Sequence, residues 1–193
     1  MSRRKKLLKL KNILARMGSV VIAYSGGLDS AFLLKAASIV LPGRNILAVT
    51  AASEIYPRDE LDSAKKIARS LGVRHKIIRT NELGNSSFVR NTPQRCFYCK
   101  KELFTRLQDI ASRNDIKFIA DATNLSDAKD FRPGGIAIKR LGIRSPLKEA
   151  GMNKEDIRVL SKKMRLETWD KPALACLASR IPYGVKITAA VLR

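Results

Sequence analysis

The sequence predicts an α/β protein whose helices cover both faces of a doubly wound, mostly parallel sheet. Three observations predict it. Short apolar runs alternate with longer runs of helical periodicity, the pattern that builds a parallel sheet. The first clear strand run, from Val20, ends in glycines and passes at once into a helix-compatible run ending near Val40. With 193 residues, 45% of them hydrophobic, the chain can bury the core of one such domain and little of a second. A layer of this kind is Rossmann-like.

The elements follow in order. Before its first acid, Asp29, the chain carries Arg3, Arg4, Lys5, Lys6, Lys9, Lys11 and Arg16. Leu7, Leu10 and Leu14 recur among them at helical spacing. Residues 1–18 therefore read as an amphipathic helix with a basic face, either packed on the domain or held out as an arm for a polyanion. Residues 20–24 form the first strand and 29–40 the first core helix. Further strands are expected at 46–50, 74–79 and 117–120, and further helices at 57–71, 99–113 and 153–166. Pro57 suits an early helical position and Gly72 the stop after Leu71. Leu61, Ala64, Ile67, Ala68 and Leu71 mark the apolar face of the helix at 57–71. Residues 19–170 make the main domain, and 171–193 read as the start of a C-terminal region that stops short. No apolar run is long enough to span a bilayer, and Lys9 and Lys11 break any secretory core, so a soluble cytoplasmic protein with no membrane partner is expected.

The charge is lopsided. Against 17 acidic residues stand 38 basic ones, a net +21. Such a surplus implies anionic partners. A nucleotide satisfies it for a pocket; RNA is possible but not favoured, because no RNA-recognition module is visible.

Residues 25–30, Ser-Gly-Gly-Leu-Asp-Ser, join strand to helix. Glycines let backbone N–H groups approach a phosphate, and the helix start points its unpaired donors and positive dipole end to the same place. Ser25 and Ser30 add hydroxyls, and Asp29 can serve a phosphate-bound Mg²⁺. Neither the GxxxxGK[ST] loop nor the GxGxxG turn is present. In a doubly wound sheet ligands bind beyond the carboxyl ends of the strands, so Ser25–Ser30, Thr50–Ser53 and Asp121–Asn124 become candidates together. The SGGxDS turn resembles the PP-loop of the ATP pyrophosphatases. That resemblance implies an adenine nucleotide alpha hydrolase-like domain that grips the pyrophosphate of ATP while the α-phosphorus is attacked.

The three cysteines are Cys96, Cys99 and Cys176, the first two a CxxC pair at a helix start. In a reducing compartment this reads as metal-binding or redox chemistry. Arg95, Lys100 and Lys101 flank the pair, and positive charge favours thiolates. Structural zinc wants a fourth ligand, which would have to be the sole histidine, His75, or a carboxylate. Three cysteines alone suit an iron–sulfur cluster with one open iron. Metal-free redox or sulfur-transfer thiols, and inert ones, remain alternatives.

Five segments carry a wider resemblance: SGGLDS (25–30), NTPQRCFYCK (91–100), DATNLSDAKDFRPGG (121–135), RSPL (144–147) and KPALACLASRIPYG (171–184). In this order and spacing they resemble the LarE family, ATP-dependent sulfur-insertion proteins of nickel-pincer cofactor synthesis. The resemblance runs over almost the whole chain. It implies adenylylation of a carboxylate on a pyridinium-biscarboxylate mononucleotide, then sulfur delivery to give a thiocarboxylate and AMP. It also implies a homo-oligomer. ATP binding falls by resemblance to Ala23, Ser25, Gly26, Gly27, Asp29, Ser30, Thr50, Ala51, Asp121, Ala122, Thr123 and Asp127. Cys176, Ser179 and Arg180 would carry the chemistry, with Lys100, Arg132 and Arg180 on substrate phosphate. One branch of the family gives up its own cysteine sulfur, at the position of Cys176, and keeps dehydroalanine. Another holds a [4Fe–4S] cluster on three cysteines, and this chain has all three at matching positions, Cys96, Cys99 and Cys176. If the segment after Cys176 is helical, Arg180 shares its face.

The chemistry has its own logic. A carboxylate is a poor electrophile, and transfer to the α-phosphorus makes AMP its leaving group, so a pyrophosphate cradle belongs beside a sulfur source. Departures from the family pattern are Ala122 in place of the usual glycine, Asp127 without a paired acid, and the early stop at Arg193. Two other readings are a PP-loop tRNA thiolation enzyme with a three-cysteine cluster and an ATP-binding protein of reduced catalysis.

Overall fold

In the computed structural model, residues 1–55, 59–129, 133–172 and 175–192 are described. Strand β1 (Val20–Ala23) lies inside a four-stranded sheet of order β3-β2-β1-β4, between β2 (Ile46–Ala52) and β4 (Phe118–Ala120), with β3 (Arg74–Arg79) at the edge. Every pairing is parallel, with Val20 opposite both Ile46 and Phe118 and Leu47 opposite Arg74. A parallel bridge from Ala120 to Arg144 extends the β4 side.

The period of two along β1 builds two cores. Val20 and Ile22 face one layer, formed by helices α1 (Arg3–Met17), α2 (Leu28–Val40) and, after the sheet, α8 (Lys154–Lys163), through Leu10, Leu14, Phe32 and Leu160. Val21 faces the other, with Leu47, Val49 and Ile119 against Phe104, Leu107 and Ile110 of α5 (Arg95–Arg113). Helices on both faces explain why β1 is apolar throughout.

The basic opening segment is packed. Leu10 and Leu14 are fully buried, and Lys6 Nζ bonds Asp156 Oδ2 at 2.5 Å while Arg3 reaches Asp156 and Glu155. Asp156 closes a capping box with Asn153 at the start of α8. Helix α3 (Asp59–Ser70) ends as expected beside Gly72, whose φ of +63° suits glycine and lets Val73 N–H reach the Ala68 carbonyl at 3.3 Å. The expectation on Pro57 lies outside the described residues.

The helix expected at 99–113 starts earlier, at Arg95, and the one expected at 153–166 ends at Lys163. Three short helices were not anticipated: α4 (Ser86–Val89), α6 (Pro133–Arg140) and α7 (Pro146–Glu149). Helix α6 opens Pro-Gly-Gly, which reads as a turn; Gly134 is there because a Cβ would stand 3.0 Å from Lys100 Cγ and 3.4 Å from the Cys96 carbonyl. After α8 the chain packs by Ala178, Ile181 and Ile187 against Ile55 and Phe88 in a third, small cluster. Among the described residues no helix is long and apolar enough to cross a membrane.

Candidate functional site

At β1 the chain order of the sheet reverses, with β2 on one side and β4 on the other, so a crevice opens beyond its carboxyl end. Residues 24–27 lie there. Gly26 has φ +80°, a left-handed conformation open to glycine, and Gly27 caps α2 without a side chain over the helix N-terminus. Ser30 Oγ donates to the Gly27 carbonyl at 3.1 Å, so the 3.1 Å contact between the two serine hydroxyls is Ser25 donating to Ser30. Ser30 Oγ also accepts from Ser25 N–H at 3.2 Å. The loop is thereby held before any phosphate arrives.

The residues expected around it come from three strand ends. Asp29 Oδ2 accepts from Lys154 Nζ at 2.5 Å, and Lys154 N–H bonds Ser126 Oγ at 3.1 Å, so the start of α8 bridges the PP-loop turn and the loop after β4. Thr50, buried at the carboxyl half of β2, donates to the Tyr24 carbonyl at 2.7 Å and therefore accepts from His75 Nε2–H at 2.8 Å. Burial, then Lys65, holds the His75 pKa below 6.5, so its neutral Nε2–H form is the working one. Ala23 and Ala51 are half-buried beside them. Asp121 is buried, taking Ser145 Oγ at 2.6 Å on Oδ1 and Thr123 Oγ1 on Oδ2. Ala122 packs on the main core, and Asp127 Oδ2 accepts from Asn124 N–H at 3.0 Å. Two shallow cavities, about 250 and 420 Å³, lie at the opposite, amino end of the sheet and are lined by none of these residues.

Cys96 and Cys99 occupy the first turn of α5; Cys96 is exposed and Cys99 half-buried. Cys176 caps a 3-10 turn at Leu177–Arg180 and packs, as Cys99 does, on the small third cluster. Burial pushes its thiol pKa above 9.0; Ser179 N–H pulls it down, and the charge of Cys96 pushes it up again. Cys96 is thus an electrostatic neighbour of Cys176, although eighty positions separate them. Among the described residues no three His, Cys, Asp or Glu side chains are gathered as around a single ion. Thiolates on separate irons of one cluster stand farther apart than that. His75 Nε2–H is engaged with Thr50, and all three cysteines are free of disulfides.

The turn after Cys176 corrects one expectation. It is a single 3-10 turn, in which positions i and i+3 eclipse, so Ser179 and not Arg180 lies over Cys176. Ser179 Oγ donates to the Cys176 carbonyl at 2.6 Å, and both Ser179 and Arg180 are exposed. Lys100 is half-buried on α5 with Nζ 5.4 Å from the Phe104 ring centroid. The expectation on Arg132 lies outside the described residues. Sequence reasoning missed Lys154, Ser145 and His75 as partners of Asp29, Asp121 and Thr50. Only the capping box around Asn153 marks Lys154, as a helix start.

The family model described as queuosine biosynthesis protein QueC matches residues 19–138, from the first strand through the loop after β4 into α6. The chain belongs to the QueC family. This QueC-family chain is 38% identical over 169 residues to the pyridinium-3,5-bisthiocarboxylic acid mononucleotide synthase of Lactiplantibacillus plantarum, covering 88% of this chain and 61% of that protein. It is 40% identical over 188 residues to the uncharacterized protein slr1717 of Synechocystis sp., covering 97% of this chain and 70% of that one. NMN synthetase from Francisella tularensis shares the fold, with a TM-score of 0.69 at 20% identity over 90% of this chain and 76% of that one. The doubly wound fold of the PP-loop proteins and the resemblance to the LarE type both stand on these likenesses.

Proposed function

We propose that the chain is an ATP-dependent sulfur transferase that adenylylates a carboxylate of a pyridinium-biscarboxylate mononucleotide and converts it to a thiocarboxylate. The observation that carries this reading is the pairing of a formed SGGLDS turn with three cysteines drawn from two distant segments, in a chain 38% identical to a synthase of that product. The chain spans 61% of that synthase, so substrate and partners belong to the proposal.

A carboxylate oxygen of the substrate attacks the α-phosphorus of ATP, the bond to the bridging oxygen breaks, and pyrophosphate leaves. Ser25, Gly26, Gly27 and Ser30 cradle it, with the start of α2 supplying backbone N–H groups. Asp29, with Asp121 and Asp127 from the loop after β4, would hold Mg²⁺, which would neutralise charge on the leaving pyrophosphate; Lys154, released from Asp29, faces the phosphates. Thr50 and Ala51, with Ala23, Ala122 and Thr123, border the adenosine. A sulfur nucleophile then attacks the acyl carbon, and AMP leaves with the former carboxylate oxygen. A [4Fe–4S] cluster on Cys96, Cys99 and Cys176 would supply a sulfide on its remaining iron. Without it, Cys176 gives its own sulfur: the thioester eliminates across Cα–Cβ, yielding thiocarboxylate, a proton and dehydroalanine. Ser179 N–H and Arg180 stabilise negative charge beside that sulfur, and Lys100 and Arg132 meet the substrate phosphate. The cytoplasm, which keeps thiols reduced, is the setting this chemistry needs.

Anaerobically reconstituted protein is the test. Bound iron and sulfide with a broad visible band, together with AMP and pyrophosphate made only when a pyridinium carboxylate is added, are expected. Formation of ADP and phosphate instead would overturn the assignment. A second reading, tRNA thiolation, is favoured by the net charge of +21. Tight tRNA binding with thiolated tRNA as product would establish it.

A further inference from the structure

Arg95 opens α5 with only 6% of its surface exposed. Its guanidinium donates to Asn91 Oδ1 and, at 3.3 Å, to the Ile181 carbonyl, and it lies 4.6 Å from the Tyr183 ring centroid. Asn91 is fully buried and turns its amide on the same segment, donating at 2.8 Å to the Pro182 carbonyl and at 2.8 Å to the Val185 carbonyl. Its own carbonyl accepts from Gly184 N–H at 3.1 Å. Asn91 has φ 51°, the left-handed region that asparagine tolerates better than most residues.

These bonds share their two ends. Apart from the internal Asn91–Arg95 bond, each joins the start of α5, or the approach to it, to residues 181–185, three donated to that segment and one received from it. A buried guanidinium is costly, and here one backbone carbonyl, the Asn91 amide oxygen and a ring face offset that cost. Cys96 directly follows Arg95, and Ile181 stands five residues after Cys176. Were the Leu177–Arg180 turn to open, five extended residues would span roughly 17 Å, enough to carry Cys176 out of reach of the pair. Between Cys176 and Ile181 the segment has one further backbone tie to the body of the protein among the described residues, Leu177 N–H to the Ile55 carbonyl at 3.0 Å, so the clamp is the second of two holds.

We propose that Asn91 and Arg95 are positioning residues that fasten the Cys176 segment to the first turn of α5, so that the three sulfurs face one acceptor. This rests on the sulfur-transfer reading above. Neither residue touches substrate; each acts through where Cys176 is held. The carbonyls they grip are backbone, so the identities of residues 181–185 matter less than the two donors.

The test uses the full chain, reduced and metal-free, treated with dibromobimane, which becomes fluorescent on bridging two neighbouring thiols; peptide mapping identifies the pair. The variants are Asn91→Gly, which keeps the left-handed backbone and deletes only the amide, Arg95→Met, and Arg95→Lys, which keeps the charge without the fork. Bridging of Cys176 to Cys96 or Cys99 is expected in the unmodified protein. It should fall about tenfold in Asn91→Gly and Arg95→Met as the effective concentration of the thiols drops, with partial rescue in Arg95→Lys. Hydrogen exchange at the Gly184 amide should rise in step. A variant that melts cooperatively and still bridges Cys176 as well as the parent overturns the proposal, and so does a parent that does not bridge it at all. Failure of the sulfur-transfer reading looks different: bridging and its loss as described, yet no AMP from any pyridinium carboxylate.

Discussion

Asp29 and Thr50 show how much of this site is set by partners far away in the chain. Lys154, 125 residues on, sits on Asp29, and His75 fixes the hydroxyl of Thr50. The Asp29–Lys154 pair is partly exposed and worth less than about 1 kcal/mol. Asp29→Ala should therefore melt within a few degrees of the parent while AMP formation from ATP is lost, as chromatography of the nucleotides will show. His75 gives a pH signature. Its folded pKa lies below the unfolded value of 6.5, so the unfolded chain binds more protons as pH falls through 6.5. Stability should decline from that point and level off below the folded pKa. In His75→Gln, which has no proton to gain, urea melts between neutral and mildly acid pH should lose that slope.

Helix α1 illustrates what periodicity reveals and what it leaves out. Leu10 and Leu14 were legible as a buried face, and Leu14→Ala should cost about 2–5 kcal/mol in chemical denaturation. What the basic face does was not legible, because Glu155 and Asp156 lie on a helix some 150 positions away. For Asp156, burial raises the pKa but is outweighed by Lys6, Asn153 N–H and Arg3, which leave it below 3.8. That contribution is present above the ordinary carboxylate range and is lost as pH drops through the folded value. Deleting residues 1–6 should remove about 1–2 kcal/mol near neutral pH and leave ATP affinity unchanged, measured by denaturation and calorimetry. The central strands β1 and β2 were legible because a sheet covered on both faces demands unbroken apolar runs. Helix α6 was hidden by its Pro-Gly-Gly start, of which Gly134 serves close approach to α5, a purpose that exists only in three dimensions. The clamp from Asn91 and Arg95 to residues 181–185 was hidden for another reason: its acceptors are backbone carbonyls, which leave no trace in residue identity.

Over the whole molecule, acids are drawn into internal pairs while basic groups remain in surplus at the surface. Glu149 is gripped by Arg144, Asp156 by Lys6 and Asp29 by Lys154, and a net +21 remains once every acid is counted. Affinity for ATP should fall as salt rises, and binding to tRNA should be weak, unselective and abolished sooner by the same salt. Filter binding across a salt series checks both, and selective tRNA binding that survives would reverse the preference between the two functional readings. On the proposed reading, in which Asp29 serves magnesium, the ammonium of Lys154 also sets an order of arrival. Magnesium approaching alone meets a carboxylate already neutralised and must displace a tethered cation. A nucleotide brings negative charge that draws the lysine away and carries the metal with it. Calorimetry should thus detect no magnesium binding to the protein by itself, and Lys154→Ala should reveal some. On that reading the lysine is a placeholder, and the ion is expected to enter escorted rather than first.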